Sequence, residues 1–310
     1  MQTDAALPEL LGERRRLMNL AFRMLGSWND AEDVVQQTYV RWYQLGEDER
    51  AAIERPAAWL TTAASRLCLN LLDSARVRKE RYVGPWLPEP VPTDTPLGAT
   101  IAVDPLERVA LDESVSMALL VVLESLTPAE RVVFVLHDVF ALPFGEIAEI
   151  VGRTPAAARQ LATSARRHVR ALTERRGRPV AGREHDRLVT AFRAACEAGD
   201  LDALVAVLDP AVVSTSDGGG KVSAARRPVE GAEHVARFLL GIIAKRTDVS
   251  FEVREINGEP GFVVIGASGG VEGVLLIGAS AAAEGAPEAS APRIDRIWIV
   301  MNPDKLRAFA

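Results

Sequence analysis

The stretch FGEIAEIVGRTPAAARQLATSARRHVR, residues 144–170, constrains the fold more than any other. Its punctuation stops one helix and starts the next within four residues. Gly152 suits a left-handed C-cap, because without a Cβ it enters that conformation at little cost. Thr154 can accept an amide hydrogen bond as an N-cap, and Pro155 fits a first helical turn, where its missing N–H would be unpaired anyway. A short helix, a tight turn with glycine and a longer basic helix together predict a helix-turn-helix. The second helix of such a unit enters the major groove with its N-terminal side chains at base edges. Arg153, Thr154, Arg159, Gln160 and Thr163 stand at that end. Arg and Gln bond bidentately to guanine and adenine edges. Arg166, Arg167 and Arg170 lie further along and suit phosphate contacts. An ordinary helical hairpin with a solvated basic face is the competing reading.

Charge separates these alternatives. Residues 106–149 carry 2 basic and 8 acidic side chains, whereas 150–183 carry 9 and 1. The same step occurs earlier: 27–54 carry 2 basic and 7 acidic residues, and 55–82 carry 6 and 2. Each acidic block is followed by a basic one, although the chain as a whole has a net charge of −6. That pattern favours nucleic acid on one side only of each segment. The acidic total argues against a free-standing nucleic-acid binder.

Residues 9–82 read as helices. Leu17, Leu20, Ala21, Met24 and Leu25 recur at helical spacing, Asn29-Asp30 offers an N-cap to AEDVVQQTYVRWYQL, and Pro56 opens a third helix. Trp42 reads as core. Asp30, Glu32 and Asp33 crowd a helix N-terminus, where the helix dipole favours them. The basic helix after Pro56 carries Arg66, Arg76, Arg78, Lys79 and Arg81 and is suited to line single-stranded DNA. Residues 83–105 form a proline-rich linker, and Asp104-Pro105 starts another helix. Residues 106–176 contain TPAE (127–130), a capping box, followed by the helix-turn-helix. From about 184 to 310 the texture changes to Gly-punctuated strands with a few helices. This predicts an α+β domain with a curved antiparallel sheet, its low-complexity AAAEGAPEASAP forming a hairpin loop.

The linker holds an anomaly. YVGPWLPEPVPTDTP, residues 82–96, sets Trp86 among four prolines between 85 and 92, and a solvated linker has no use for a tryptophan. Prolines keep the segment extended and reduce the entropy lost when it docks. Trp86, Leu87 and Pro88 are therefore expected to meet an apolar pocket, with Glu89 as an acid for Lys221 or Lys305. No apolar run approaches a membrane span, the N-terminus lacks signal-peptide order, and Cys68 and Cys196 read as free thiols. A cytoplasmic protein with no membrane partner is expected.

Together these segments resemble a known family. DAEDVVQ with RPAAWLTTAASRLCLN is similar to region two of the bacterial sigma-seventy factors, and LTPAERVVFVLHDVF…FGEIAEIVG looks like region four. With no other regions, this is the layout of an extracytoplasmic-function sigma factor. WLPEP, DGGGK (217–221) and NPDKL (302–306) resemble the motifs of the subgroup with a fused SnoaL-like C-terminal domain, and this resemblance implies that the linker docks beside DGGGK or NPDKL, with Asp217, Asn302 and Asp304 completing the contact. The resemblance implies two all-α sigma modules followed by an α+β, NTF2-like cone. It implies core RNA polymerase as partner of Asp30, Glu32, Asp33, Gln36 and Gln37. Promoter DNA would be opened near Asn70 and Ser74 with Arg66, Arg76 and Arg78, and read upstream by the helix-turn-helix. It implies no cofactor, no metal and no enzymatic activity, with the C-terminal domain regulating the factor in cis. A small-molecule ligand in the cone stays open. The alternatives are a one-component helix-turn-helix regulator with a ligand-binding domain, and an enzyme using His185, His234, Asp217 or Asp295.

Overall fold

The structure, a computed structural model, describes residues 6–79, 82–95, 116–174, 178–180, 182–246, 248–281 and 291–309. They form two compact units. One is built from residues 6–79 and 119–170, the other from 82–95, 116–118 and the described part of 171–309.

The first unit is all-helical. Its helices are Ala6–Leu25, Trp28–Gln44, Glu47–Ala51 and Pro56–Lys79, then Met117–Glu124, Pro128–Phe134, Phe144–Val151 and Pro155–Glu174. Leu17, Met18, Leu20, Phe22 and Met24 of the first helix are buried, as are Val34 and Val35 of the second and Leu60, Ala64 and Cys68 of the fourth. Each large side chain buried in this way stabilises the fold by about 1.5–3 kcal/mol. The N-cap at Asn29-Asp30 is corrected: the second helix starts one turn earlier, and Ser27 caps it by accepting from the Asp30 N–H. Serine before tryptophan satisfies an orphan donor just as well, and Asp30 falls inside the helix. Thr127 and Glu130 form the capping box reciprocally. Pro128–Phe134 then loosens into a π-turn over Val135–Val139, and Ala141 takes a left-handed φ of 54° before Pro143.

The second unit is a seven-stranded sheet under helices. The strands are β1 (Arg178–Pro179), β2 (Leu208–Asp217), β3 (Val229–Glu230), β4 (Ser250–Ile256), β5 (Glu259–Ile265), β6 (Val271–Ala281) and β7 (Arg293–Val300). Their order is β3-β2-β7-β6-β5-β4, with β1 pairing β6. The expected wholly antiparallel sheet is corrected, because β2 and β7 run parallel. That pairing joins strands about eighty residues apart, which local alternation cannot register. Most of the hairpin loop expected between β6 and β7 lies outside the described residues, as does the helix expected at Asp104-Pro105.

Pleating divides the sheet into two faces. Phe262, Val264, Leu275, Ile277, Ile297 and Ile299 share a core with Val189 and Phe192 of helix Arg183–Ala198, Leu204 of helix Leu201–Val207 and Leu239 of helix Ala232–Ile243. On the opposite face, Arg254, Gly261, Leu276 and Trp298 stand in register across β4, β5, β6 and β7. Leu276 and Trp298 are buried. Two segments reach this second face. Arg254 pairs with Asp94 of the proline-rich segment and stacks on Phe309 near the C-terminus. The proline-rich segment 82–95 is thus a structural part of the C-terminal unit.

Candidate nucleic-acid interface and buried clasp

The helix-turn-helix is built as its punctuation dictates. Gly152 closes Phe144–Val151 at φ 63°, and the Ala157 N–H donates to the Thr154 hydroxyl. Ala158, Ala162 and Ala165 are buried, which lets Pro155–Glu174 lie close to its neighbours. The opposite arc carries Arg159, Gln160, Thr163, Arg166, Arg167 and Arg170, all exposed. At 3.6 residues per turn these fall on one face. Arg153 and Thr154 are exposed at its leading end. Two of the arginines are already engaged: Arg159 lies 5.6 Å from the Phe144 ring centroid, and the Arg166 Nε is 2.7 Å from Asp138 in the π-turn. Thr163 donates to the Arg159 carbonyl, leaving its oxygen an acceptor.

On helix Pro56–Lys79, Arg66, Asn70 and Ser74 follow at four-residue spacing and are exposed along one strip. Ser74 donates back to the Leu71 carbonyl. The side chains of Arg76 and Arg78 lie outside the described residues. Trp59 meets Trp42 edge-on at 5.3 Å, a core contact. Arg66 donates to the Glu149 carbonyl near the end of Phe144–Val151, at 3.0 Å, and Arg55 pairs with Glu146 at 3.1 Å. Deeper in, buried Arg131 donates to the Met24 carbonyl at 3.0 Å and pairs with Glu124 at 2.7 Å. The strip carrying Arg66 therefore rests against the first helix of the helix-turn-helix.

On Trp28–Gln44, Glu32, Asp33, Gln36 and Gln37 are exposed, and Asp30 is half-buried. Burial, and then the Asp30 carboxylate, push the Cys68 thiol of the fourth helix up. Val40 and Tyr43, 47 % and 53 % exposed, join Glu32, Asp33 and Gln36 along one shallow cleft. Sequence reasoning passed over this pair. Their exposed spacing, 36-40-43, was the available signal.

The proline-rich segment ends in a buried clasp. Asp217, at the end of β2, is fully buried and accepts from the Tyr82 hydroxyl at 2.6 Å, the Leu87 N–H at 2.9 Å and Lys305 at 2.7 Å. Lys305 also donates to the Leu87 carbonyl and lies 3.8 Å from the Trp86 ring centroid. Asn302 donates to the Tyr82 oxygen at 2.8 Å. Burial, then the bond to Asp217, hold the Tyr82 phenol well above its usual range. Leu87, Pro88 and Pro90 are buried, and Trp86 and Glu89 are half-buried. Where the sequence offered Glu89 as the acid for Lys221 or Lys305, the salt bridges of these lysines go to aspartates: Lys305 to Asp217 and Lys221 to Asp304. The Lys221 hydrogen bond holds the Asp304 carboxyl below its ordinary value. Gly219, at φ 60°, packs so closely on Asn302 that a Cβ there would collide with it. A second anchor closes the other end of the segment. Val91 exchanges hydrogen bonds with Asn257, donating to its side chain and accepting from its N–H, and the Thr93 N–H donates to Glu255.

Three of the four residues named for an enzymatic site have partners of their own. His185 is buried against the Ile277 carbonyl at 2.9 Å, His234 is exposed beside the Glu230 carbonyl, and Asp217 belongs to the clasp. Asp295 is buried on β7. Among the described residues no cluster of three His, Cys, Asp or Glu could hold a metal, and no helix is long and apolar enough to cross a membrane.

Comparison with known proteins agrees with this architecture. Residues 12–78 match the family Sigma-70 region 2, residues 116–169 match Sigma-70, region 4, and residues 189–292 match the SnoaL-like domain. The ECF RNA polymerase sigma factor SigJ of Mycobacterium tuberculosis is 42 % identical over 306 residues, covering 94 % of this chain and 90 % of the relative. The probable ECF RNA polymerase sigma factor SigI of the same species is 40 % identical over 217 residues, 70 % of this chain and 71 % of the relative. The crystal structure of SigJ superimposes with a TM-score of 0.71 at 35 % identity, covering 97 % of this chain and 98 % of that one. The chain belongs to the extracytoplasmic-function RNA polymerase sigma factors. Its two sigma modules are followed by a SnoaL-like domain, which sets it apart from a one-component regulator.

Proposed function

We propose that this sigma factor docks on core RNA polymerase through the exposed face of Trp28–Gln44, and that its C-terminal domain controls initiation by gripping the segment between the sigma modules. Glu32, Asp33 and Gln36 supply charge and hydrogen bonding on the docking face, and Val40 and Tyr43 supply apolar area; interface anchors combine these features. The strip Arg66, Asn70 and Ser74 contacts the opened downstream promoter element. Arg153, Thr154, Arg159, Gln160 and Thr163 read the upstream element, while Arg166 and Arg167 hold phosphates. The C-terminal domain acts by binding rather than turnover.

The observation that carries the regulatory reading is the buried Asp217–Lys305 pair closed around Leu87. A tethered partner acts at an effective concentration up to about millimolar for short linkers, so a small interface suffices. The test is promoter-dependent transcription with core polymerase, comparing the intact chain with Trp86→Ala and with a chain ending near residue 182. A change of at least threefold in open-complex formation, in the same direction for both variants, is expected. Rates equal to the intact chain in both would refute regulation by the clasp, and failure of the intact chain to join core polymerase would refute the docking face.

A further inference from the structure

The chain has five asparagines, and only Asn257 is followed by glycine. Glycine carries no Cβ to hinder its own nitrogen, so that nitrogen reaches the preceding side-chain amide more easily than at the other four. The chemistry this allows is internal. The Gly258 nitrogen forms a bond to Asn257 Cγ, and Nδ2 leaves as ammonia with the proton that the Gly258 nitrogen gives up. Water then opens the resulting cyclic imide at either of its two C–N bonds. One opening gives aspartate, and the other gives isoaspartate, with an extra carbon in the backbone. Water is the one co-reactant, and nothing is oxidised or reduced.

The proline-rich segment holds both reacting groups. The Val91 N–H donates to Asn257 Oδ1 at 2.7 Å, and the Val91 carbonyl accepts from the Asn257 N–H at 2.8 Å. The Gly258 N–H, whose nitrogen is the nucleophile, donates to the Thr93 hydroxyl oxygen at 2.9 Å. Asn257 is 6 % exposed, which keeps water from its amide. Its Nδ2, the leaving atom, is buried and has no hydrogen-bond partner among the described residues. The side chain is thus fixed through Oδ1, by a donor that the segment supplies. Ring closure requires the amide to swing away from Val91 and the Gly258 N–H to leave Thr93. Both moves need the segment to come off the β4–β5 turn, a local opening.

We propose that Asn257 is a deamidation site guarded by the proline-rich segment, so that prolonged release of the segment converts the residue and keeps the second anchor from closing again. Isoaspartate lengthens the backbone between Ile256 and Gly258. The two-residue turn that pairs Ile256 with Glu259 then loses its fit, and with it the placement of both groups that meet Val91. The site records time spent open. Its protection stands independently of the regulatory reading; only the consequence for transcription rests on that reading.

The test follows the full chain at neutral pH and 37 °C, with conversion at position 257 read by peptide mass spectrometry. Deamidation raises the mass, whereas isomerisation at Asp217-Gly218 does not, so the two are told apart. Thr93→Val removes the acceptor of the Gly258 N–H, and Val91→Pro removes the donor to Oδ1. Conversion is expected to be at least threefold faster in the first and at least tenfold faster in the second, with amide exchange across β4 and β5 unchanged. A rate equal to that of the intact chain in either variant would overturn the guard. So would acceleration with faster exchange across the hairpin, which reports loss of the turn rather than of the segment. In a chain fully converted by ageing in urea and then refolded, amide exchange at Val91 should rise at least threefold; an unchanged rate would overturn the one-way step. Transcription with the converted chain should shift in the same direction as with Trp86→Ala. Faster exchange at Val91 with unaltered transcription would overturn the regulatory consequence and leave the guarded site standing.

Discussion

Asp217 is an anion without solvent contact, and the fold tolerates it only because three donors converge on it besides the Gly219 N–H. Removing one partner of a buried pair leaves the other charge uncompensated, typically costing about 3–5 kcal/mol. Lys305→Met should therefore destabilise the C-terminal unit by about 3 kcal/mol, read by urea unfolding. Asp217→Asn in the same chain should recover a good part of that loss, since it removes the stranded charge. Glu259 gives the opposite case. Burial raises its carboxyl from 4.5 to about 7. The folded state thus holds a proton that the unfolded state releases first, so this group's contribution is fully present below pH 4.5 and fades as pH rises through about 7. Glu259→Gln should leave stability near pH 4 almost unchanged and raise it at pH 8, by at most about 3 kcal/mol. A pH-independent effect of the substitution would contradict this assignment. At this scale the sequence disclosed Trp86, Asp217 and Lys305 as residues needing an explanation. It did not disclose who pairs with whom, because Leu87 and Lys305 meet across more than two hundred residues.

Among the elements, local chemistry was legible and long-range pairing was not. The Gly152, Thr154 and Pro155 signals act within one helical turn, and the helix-turn-helix follows from them. Ser27 was overlooked as a cap because Asn29-Asp30 offers the same chemistry two residues later. The parallel β2–β7 pair carries no local mark at all. One local signal, Asn257-Gly258, went unread. Both residues have positive φ, 55° and 78°, joining β4 to β5 by a two-residue turn. The same turn anchors the proline-rich segment, since the Asn257 side chain accepts from Val91 at 2.7 Å. Asn257→Gly keeps the left-handed backbone and deletes only that acceptor. Amide exchange at Val91 should accelerate about three- to thirtyfold, as expected for loss of a hydrogen bond worth about 0.5–1.5 kcal/mol and the attendant fraying. Exchange at Leu87, held by Asp217, should stay slow. Acceleration at both would mean the segment releases as one piece rather than from two independent anchors.

At the level of the whole chain, the alternation of acidic and basic blocks has a structural consequence inside the helical unit. Acidic Glu146 faces Arg55, and the Glu149 carbonyl takes Arg66, so Arg66, a basic side chain proposed for the promoter, rests with Arg55 on the acidic helix of the second module. The charge asymmetry was visible in the sequence; that it is satisfied internally was not, because it requires the two modules to meet. If Arg66 must leave this contact to reach DNA, weakening the contact should favour binding to a single-stranded oligonucleotide. Arg55→Glu and Glu146→Arg each place like charges together, but they change net charge in opposite directions, so nonspecific attraction alone moves their affinities oppositely. The double reversal restores both the pair and the net charge. Because exposed pairs contribute at most about 1 kcal/mol, the expected effect is two- to fivefold. Measured by fluorescence anisotropy at fixed salt, the two single variants should on average bind more tightly than the original, and the double variant should return to it. Additive effects, with the double variant simply the sum of the two singles, would show that the Arg55–Glu146 contact does not restrain the DNA-binding strip.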